Sequence, residues 1–131
     1  MSKLQRLRNE QGSGTVMATA LVVVALLIAG AVLAWVAATR AAMQAASAAD
    51  MSALAAADTA RGLRPGEPCT VAAQLAQSNG AQLASCTVEP GGESVRVATY
   101  VPVGFRAMGV ELYQAEARAR AGAPPLDAPM P

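Results

Sequence analysis

Cys69 and Cys86 are the only cysteines in the chain, and it contains no histidine. That inventory limits the available chemistry. Without an imidazole, neither a Ser-His nor a Cys-His nucleophile can be assembled, and the usual nitrogen-rich or thiolate-rich metal sites lack ligands. A Ser-Lys pair would have to use Lys3, the only lysine, which sits in a basic amino-terminal head. Asp50 and Asp58 fall almost on one face of a helix, but two turns separate them by about 12 Å, too far to act on one reacting atom. They read as solvating groups. No enzymatic activity, cofactor, metal or small-molecule substrate is expected. What the cysteines can do is close a loop. A disulfide is the expected state if they face an oxidising compartment; two buried thiols are the alternative, and a redox pair is disfavoured because the spacing is not Cys-x-x-Cys.

The elements that position these residues begin with composition. The chain is 53% hydrophobic but only 3% aromatic, so its apolar character comes from Ala, Val and Leu and a large aromatic-lined pocket is not expected. Net charge is +1. Lys3, Arg6 and Arg8 against Glu10 make the head basic, and the near-neutral remainder gives no support for a nucleic-acid partner.

From Gln11 through Thr39 no residue is charged. The stretch Val16 to Ala38 rises about 35 Å as a helix, enough to cross a hydrocarbon core of about 30 Å. Membrane lipid is therefore the first expected partner. Positive residues at the amino end predict that the head stays cytoplasmic and that everything after Arg40 is extracytoplasmic, with Trp35 and Arg40 near an interface. A cleaved secretory signal shares the basic head and apolar run. However, its apolar region is typically about 7 to 15 residues, and here helix-forming sequence continues without Pro or Gly from Ala31 to Arg61.

Residues 40–61 extend the membrane helix of residues 13–39, giving an expected single helix of roughly 45 residues that stops near Arg61-Gly62, with Pro65 preventing a restart. Ala37, Ala41, Ala45, Ala49, Ala53 and Ala57 recur every four residues. They form either a seam for close helix approach or a by-product of alanine content. Asp58 and Arg61 are placed for an i,i+3 pair.

Residues 62–122 read as a small α+β domain. A short helix over "CTVAAQLAQSNG" has Val71 and Leu75 on one face and Asn79-Gly80 as its stop. Two strands around a Pro-Gly-Gly turn form a hairpin, in which Val95, Val97, Val101 and Val103 alternate with Arg96, Ala98 and Pro102. "GVELYQAEARARAG" is expected to form a final short helix, with Val110, Tyr113 and Ala117 on one face and Glu116 four residues before Arg120. Residues 123–131, rich in proline, read as a frayed tail. So small a domain buries little apolar surface, and closing the Cys69–Cys86 loop would contribute about 3 kcal/mol.

The junction "GSGTV" between a short basic leader, residues 1–12, and an apolar helix resembles the processing site of class III signal sequences in type IV pilins and pseudopilins. Across nearly the whole chain the pattern is similar to TadE-like pseudopilins of Tad (tight adherence, Flp-type) pilus systems, closest to the actinobacterial branch encoded beside helicase and secretion genes. The leader and apolar helix carry the specific part of the resemblance. It implies that a membrane prepilin peptidase cuts between Gly12 and Ser13, leaving the apolar helix at the new amino terminus. It further implies partnership with other pilin-like subunits and the pilus assembly platform, and residence in the cell membrane before assembly. Members of the family usually carry glutamate at the fifth mature position, which is Met17 here. The resemblance therefore points to a minor component that initiates, caps or primes an assembly. Two other readings remain open: an unprocessed single-pass protein with an extracytoplasmic binding or regulatory domain, and a small protein released by signal peptidase.

Overall fold

Alanine, leucine and other strong helix formers fill the chain from Lys3 to Ala60, and with no proline among them the whole stretch forms one helix, α1 (Lys3–Ala60, 58 residues), in the computed structural model. The structure describes residues 3–105 and 108–123, with side chains over 12–104 and 108–123. The helix begins earlier than the apolar pattern predicts, because the basic head is itself made of helix-compatible residues. The side chains of Lys3, Arg6, Arg8 and Glu10 lie outside the described set, as does the expected frayed tail beyond Ala123. The chain divides into two compact units, Met1–Val36 and Ala37–Pro131.

Helix α1 ends where the sequence places its stop. Gly62 takes φ 77°, its N–H donates to the Thr59 carbonyl, and the Leu63 N–H donates to the Asp58 carbonyl at 2.9 Å. This is the paired closure of a Schellman motif, which satisfies carbonyls that the helix end would otherwise leave open. The second helix, α2 (Pro68–Ser78), starts with Glu67 as N-cap, whose carboxylate accepts from the backbone N–H groups of Cys69 and Thr70. It closes with the same motif through Gly80, φ 72°, and the bond from the Ala81 N–H to the Ala76 carbonyl. Ala72 and Ala76 form its buried face, one position from the predicted Val71 and Leu75, which are half-buried.

Three strands follow: β1 (Gln82–Val88), β2 (Ser94–Phe105) and β3 (Val110–Gly122). They pair antiparallel in the order β1-β2-β3. The predicted hairpin is β1 and β2, closed by Glu89 to Gly92 with φ positive at Gly91 and Gly92. The predicted final helix is instead β3, paired with β2 along its length. Two causes override alanine's helix preference. Glu116, Arg118 and Arg120 alternate with Ala115, Ala117, Ala119 and Ala121, a period of two that suits a half-buried strand. The free edge of β2 also offers a long row of backbone partners. Val110, Tyr113 and Ala117 accordingly share no helical face. The architecture is α+β, as expected.

Within the second unit the sheet lies on α1. Val95 and Val97 pack with Ala53, Ala56, Ala57 and Ala72, while Val101 and Ala115 pack with Ala41, Ala45 and Ala48. Strand β2 thus runs opposite to α1. Thr99, wholly buried, donates its hydroxyl to the Ala45 carbonyl at 2.8 Å. The alanine seam is therefore real from Ala41 to Ala57, and its occupant is the chain's own sheet. Ala37, by contrast, is exposed.

Ser52 is completely buried on the same helix, and its hydroxyl has no hydrogen-bond partner among the described residues. A buried unsatisfied hydroxyl costs about 1 to 3 kcal/mol relative to a satisfied one. Ser52→Ala should accordingly raise the thermal unfolding midpoint or leave it unchanged, whereas a fall would mean that the hydroxyl is bonded.

Candidate functional site

The segment Gly12 to Val36 carries the candidate function. Gly12, Ser13, Gly14 and Met17 all lie within α1 and are exposed. The Thr15 hydroxyl donates to the Gly12 carbonyl at 3.1 Å, and that of Thr19 donates to the Thr15 carbonyl at 2.8 Å. These back-bonds absorb polar hydrogens that would otherwise enter an apolar environment unpaired.

Gly12 and Gly14 have ordinary helical φ values, and a Cβ at either would meet nothing within 4 Å. Each costs the helix about 1 kcal/mol relative to alanine. Among the described residues no close approach requires a glycine at either position. The Gly12-Ser13-Gly14 step is thus a stretch of low helix propensity within α1.

Beyond it, Val16, Leu21, Leu26, Leu27, Ile28 and Leu33 are each at least 60% exposed. Helix α1 is long and apolar enough to cross a membrane, with a mean hydropathy of 2.8 in its best window. None of that window is buried by the rest of the chain. Trp35 is exposed near the end of the run, followed by Arg40 on the surface.

In the second unit Cys69 on α2 and Cys86 on β1 form a disulfide, with Cα atoms 5.7 Å apart. Asp50 is exposed and Asp58 half-buried; neither is joined to other acidic groups. Among the described residues no three His, Cys, Asp or Glu side chains converge.

A polar cluster that sequence reasoning missed sits at the β1–β2 turn. Glu89 accepts from Arg96 Nη2 at 2.9 Å and from Arg120 Nε at 3.0 Å. The expected Glu116–Arg120 pair is absent because a strand puts four-apart residues far apart along its length; Glu116 pairs with Arg118 instead, at 3.1 Å. Only the antiparallel register that places Arg96 opposite Arg120 brings both guanidinium groups to Glu89. The alternation of charges in "EARAR" was the available signal.

The Arg120 hydrogen bond, helped by the charges of Arg120 and Arg96, lowers the Glu89 pKa. Backbone N–H groups of Thr70 and Cys69 lower that of Glu67. A carboxylate whose folded pKa lies below its unfolded one stabilises the fold above the unfolded value and ceases to do so as pH falls through the folded value. Thermal stability should therefore hold near neutrality and decline below about pH 5, where unfolded carboxylates begin to protonate. Glu67→Gln and Glu89→Gln together should flatten that decline.

Compared with protein-family models, curated proteins and solved structures, the chain shows no significant match.

Proposed function

We propose that this protein is a minor pseudopilin-like structural or assembly component of a Tad-type pilus or related secretion apparatus. Its amino-terminal helix anchors it in the membrane before assembly. The observation that carries this reading is the division of labour along α1. From Ala41 onward its alanine face is already covered by the chain's own sheet. From Gly12 to Val36 it is apolar and exposed, and none of its most apolar window is buried. Lipid can cover that segment first and neighbouring helices can replace lipid later, since helix packing in a bilayer depends on surface fit more than on a hydrophobic drive. Subunit contacts would then use the apolar segment, because the seam from Ala41 to Ala57 is occupied.

The basic head would stay cytoplasmic and the disulfide-bearing unit would lie outside, where Cys69–Cys86 persists. A prepilin peptidase would cut between Gly12 and Ser13, where two glycines lower the helix propensity of α1. Met17 in place of a glutamate leaves no intramembrane charge to pair with a neighbouring amino terminus, which suits a minor subunit better than a bulk one. The same feature favours a second reading, an unprocessed single-pass protein whose outer unit binds or regulates.

Gly12→Leu separates the two. Under the pilin-like reading the variant accumulates uncut in the membrane while the parent chain loses about twelve residues, as the resemblance to class III signals implies; under the second reading the two proteins migrate alike. Folding of the outer unit should be unaffected, since a Cβ at Gly12 would meet nothing within 4 Å among the described residues.

A further inference from the structure

Within the second unit, the side of α1 opposite the alanine seam is open. Met43, Met51 and Leu54 are 69%, 51% and 60% exposed, and Arg40, Ser47, Asp50 and Arg61 are exposed beside them. Arg61 extends the same face, because its N–H still donates to the Ala57 carbonyl. At about 3.6 residues per turn these positions, with half-buried Asp58, fall within an arc of roughly 100°. Among the described residues, Arg40, Asp50, Asp58 and Arg61 form no ion pair: the pairs present join Glu89, Glu116, Arg96, Arg118 and Arg120 on the sheet. The expected Asp58–Arg61 pair is therefore absent.

Arg40 and Asp50 are ten residues apart, Asp50 and Arg61 eleven, and Met43 and Leu54 also eleven. Three helical turns take about 10.8 residues, so positions eleven apart point nearly the same way and lie about 16 Å apart along the axis. A parallel copy displaced by that step sets Asp50 against Arg61 of the next copy, Met43 against its Leu54 and Ser47 against its Asp58, with Arg40 in reach of its Asp50. Other alignments do worse. In register, Asp50 meets Asp50 and Arg40 meets Arg40, and a shift of eight sets Asp50 against Asp58. Like charges placed opposite one another suppress those alignments. Shifts of three or eighteen make a single opposite-charge pair each.

We infer that this face of α1 is a contact between copies of this chain, parallel and stepped by about eleven residues. Charge complementarity along the face selects a second copy as the occupant, with Met43 and Leu54 supplying the apolar contact and the ion pairs setting its register. The inference rests on the assembly reading, in which all copies are inserted in one sense and the segment runs the same way in each. Packed helices lie about 8 to 10 Å apart, so neighbours at one depth in a bilayer cannot be offset by about 16 Å. The contact forms only as one copy rises past another, and because each copy uses both ends of the face it can extend into a row. A short row suits a component that primes an assembly.

The test is cross-linking in the native cells, with two differently tagged full-length forms, M43C and L54C, made together and treated with a short bismaleimide while the native disulfide stays intact. In the filament fraction sheared from the cells, 43–54 products should exceed 43–43 and 54–54 products several-fold; in the membrane fraction that excess should be missing. Asp50→Arg in the M43C form should cut the 43–54 yield several-fold, and Arg61→Asp in the L54C form should restore it. If the chain is present in sheared filaments but the three products form equally, or the loss is not rescued, the stepped contact is wrong and the assembly reading stands. A 43–54 excess already present in membranes would overturn its link to assembly. Absence of the chain from the sheared fraction would overturn the assembly reading and the contact together.

Discussion

Ala56→Leu is expected to destabilise the second unit by about 1 to 3 kcal/mol, the range for forcing extra methylenes into a filled interior. Ala56 is wholly buried and packs with Val95 and Val97. The small side chains from Ala41 to Ala57 let the sheet approach the helix backbone closely enough for Thr99 to bond the Ala45 carbonyl. A leucine would push the sheet away and weaken that bond, leaving the buried Thr99 hydroxyl without its partner. Ala46→Leu, on the exposed face of the same helix, should stay within about 0.5 kcal/mol of the parent. Thermal denaturation of both variants in the same detergent measures the contrast. Equal effects would mean that the sheet does not rest on this face.

Loss of the disulfide should cost a similar amount. Cys69→Ser with Cys86→Ser releases a loop with a sequence separation of 17, for which chain entropy gives about 3 kcal/mol. The constraint matters because α2 contributes little else: its buried side chains are Ala72 and Ala76, and its ties to α1 include the bond from Gln44 Nε2 to the Asn79 carbonyl. Amide exchange should therefore accelerate most in α2 and in β1 near Cys86, with α1 and the β2–β3 pairing affected less. Uniform acceleration would show that the unit unfolds as one body and that the disulfide supports all of it equally.

These two sites also show how far the sequence could be read. The helix stop at Gly62, the cap and stop of α2, the hairpin turn and the valine alternation of β2 were legible because each rests on local chemistry. The cysteine pairing was legible because two cysteines permit one intrachain bond. The use of the alanine seam was not, since a stripe of small residues specifies close approach without naming the surface that approaches. Strand β3 was missed because alanine's local preference and an i,i+4 charge spacing both favoured a helix, while the deciding factor, an unpaired edge on β2, lies in tertiary structure. The Glu89 cluster depends on that same register and was hidden with it. At the candidate processing site, the pattern around Gly12 was visible, and the fold adds that no close approach among the described residues requires its glycines.

Intact mass of the protein isolated from membranes of its native cells tests the central claim most directly. A single species lacking the first twelve residues, beginning at Ser13 and retaining the whole apolar helix, is the result expected of a processed pilin-like subunit. A full-length chain, or one shortened by more than thirty residues, would contradict it.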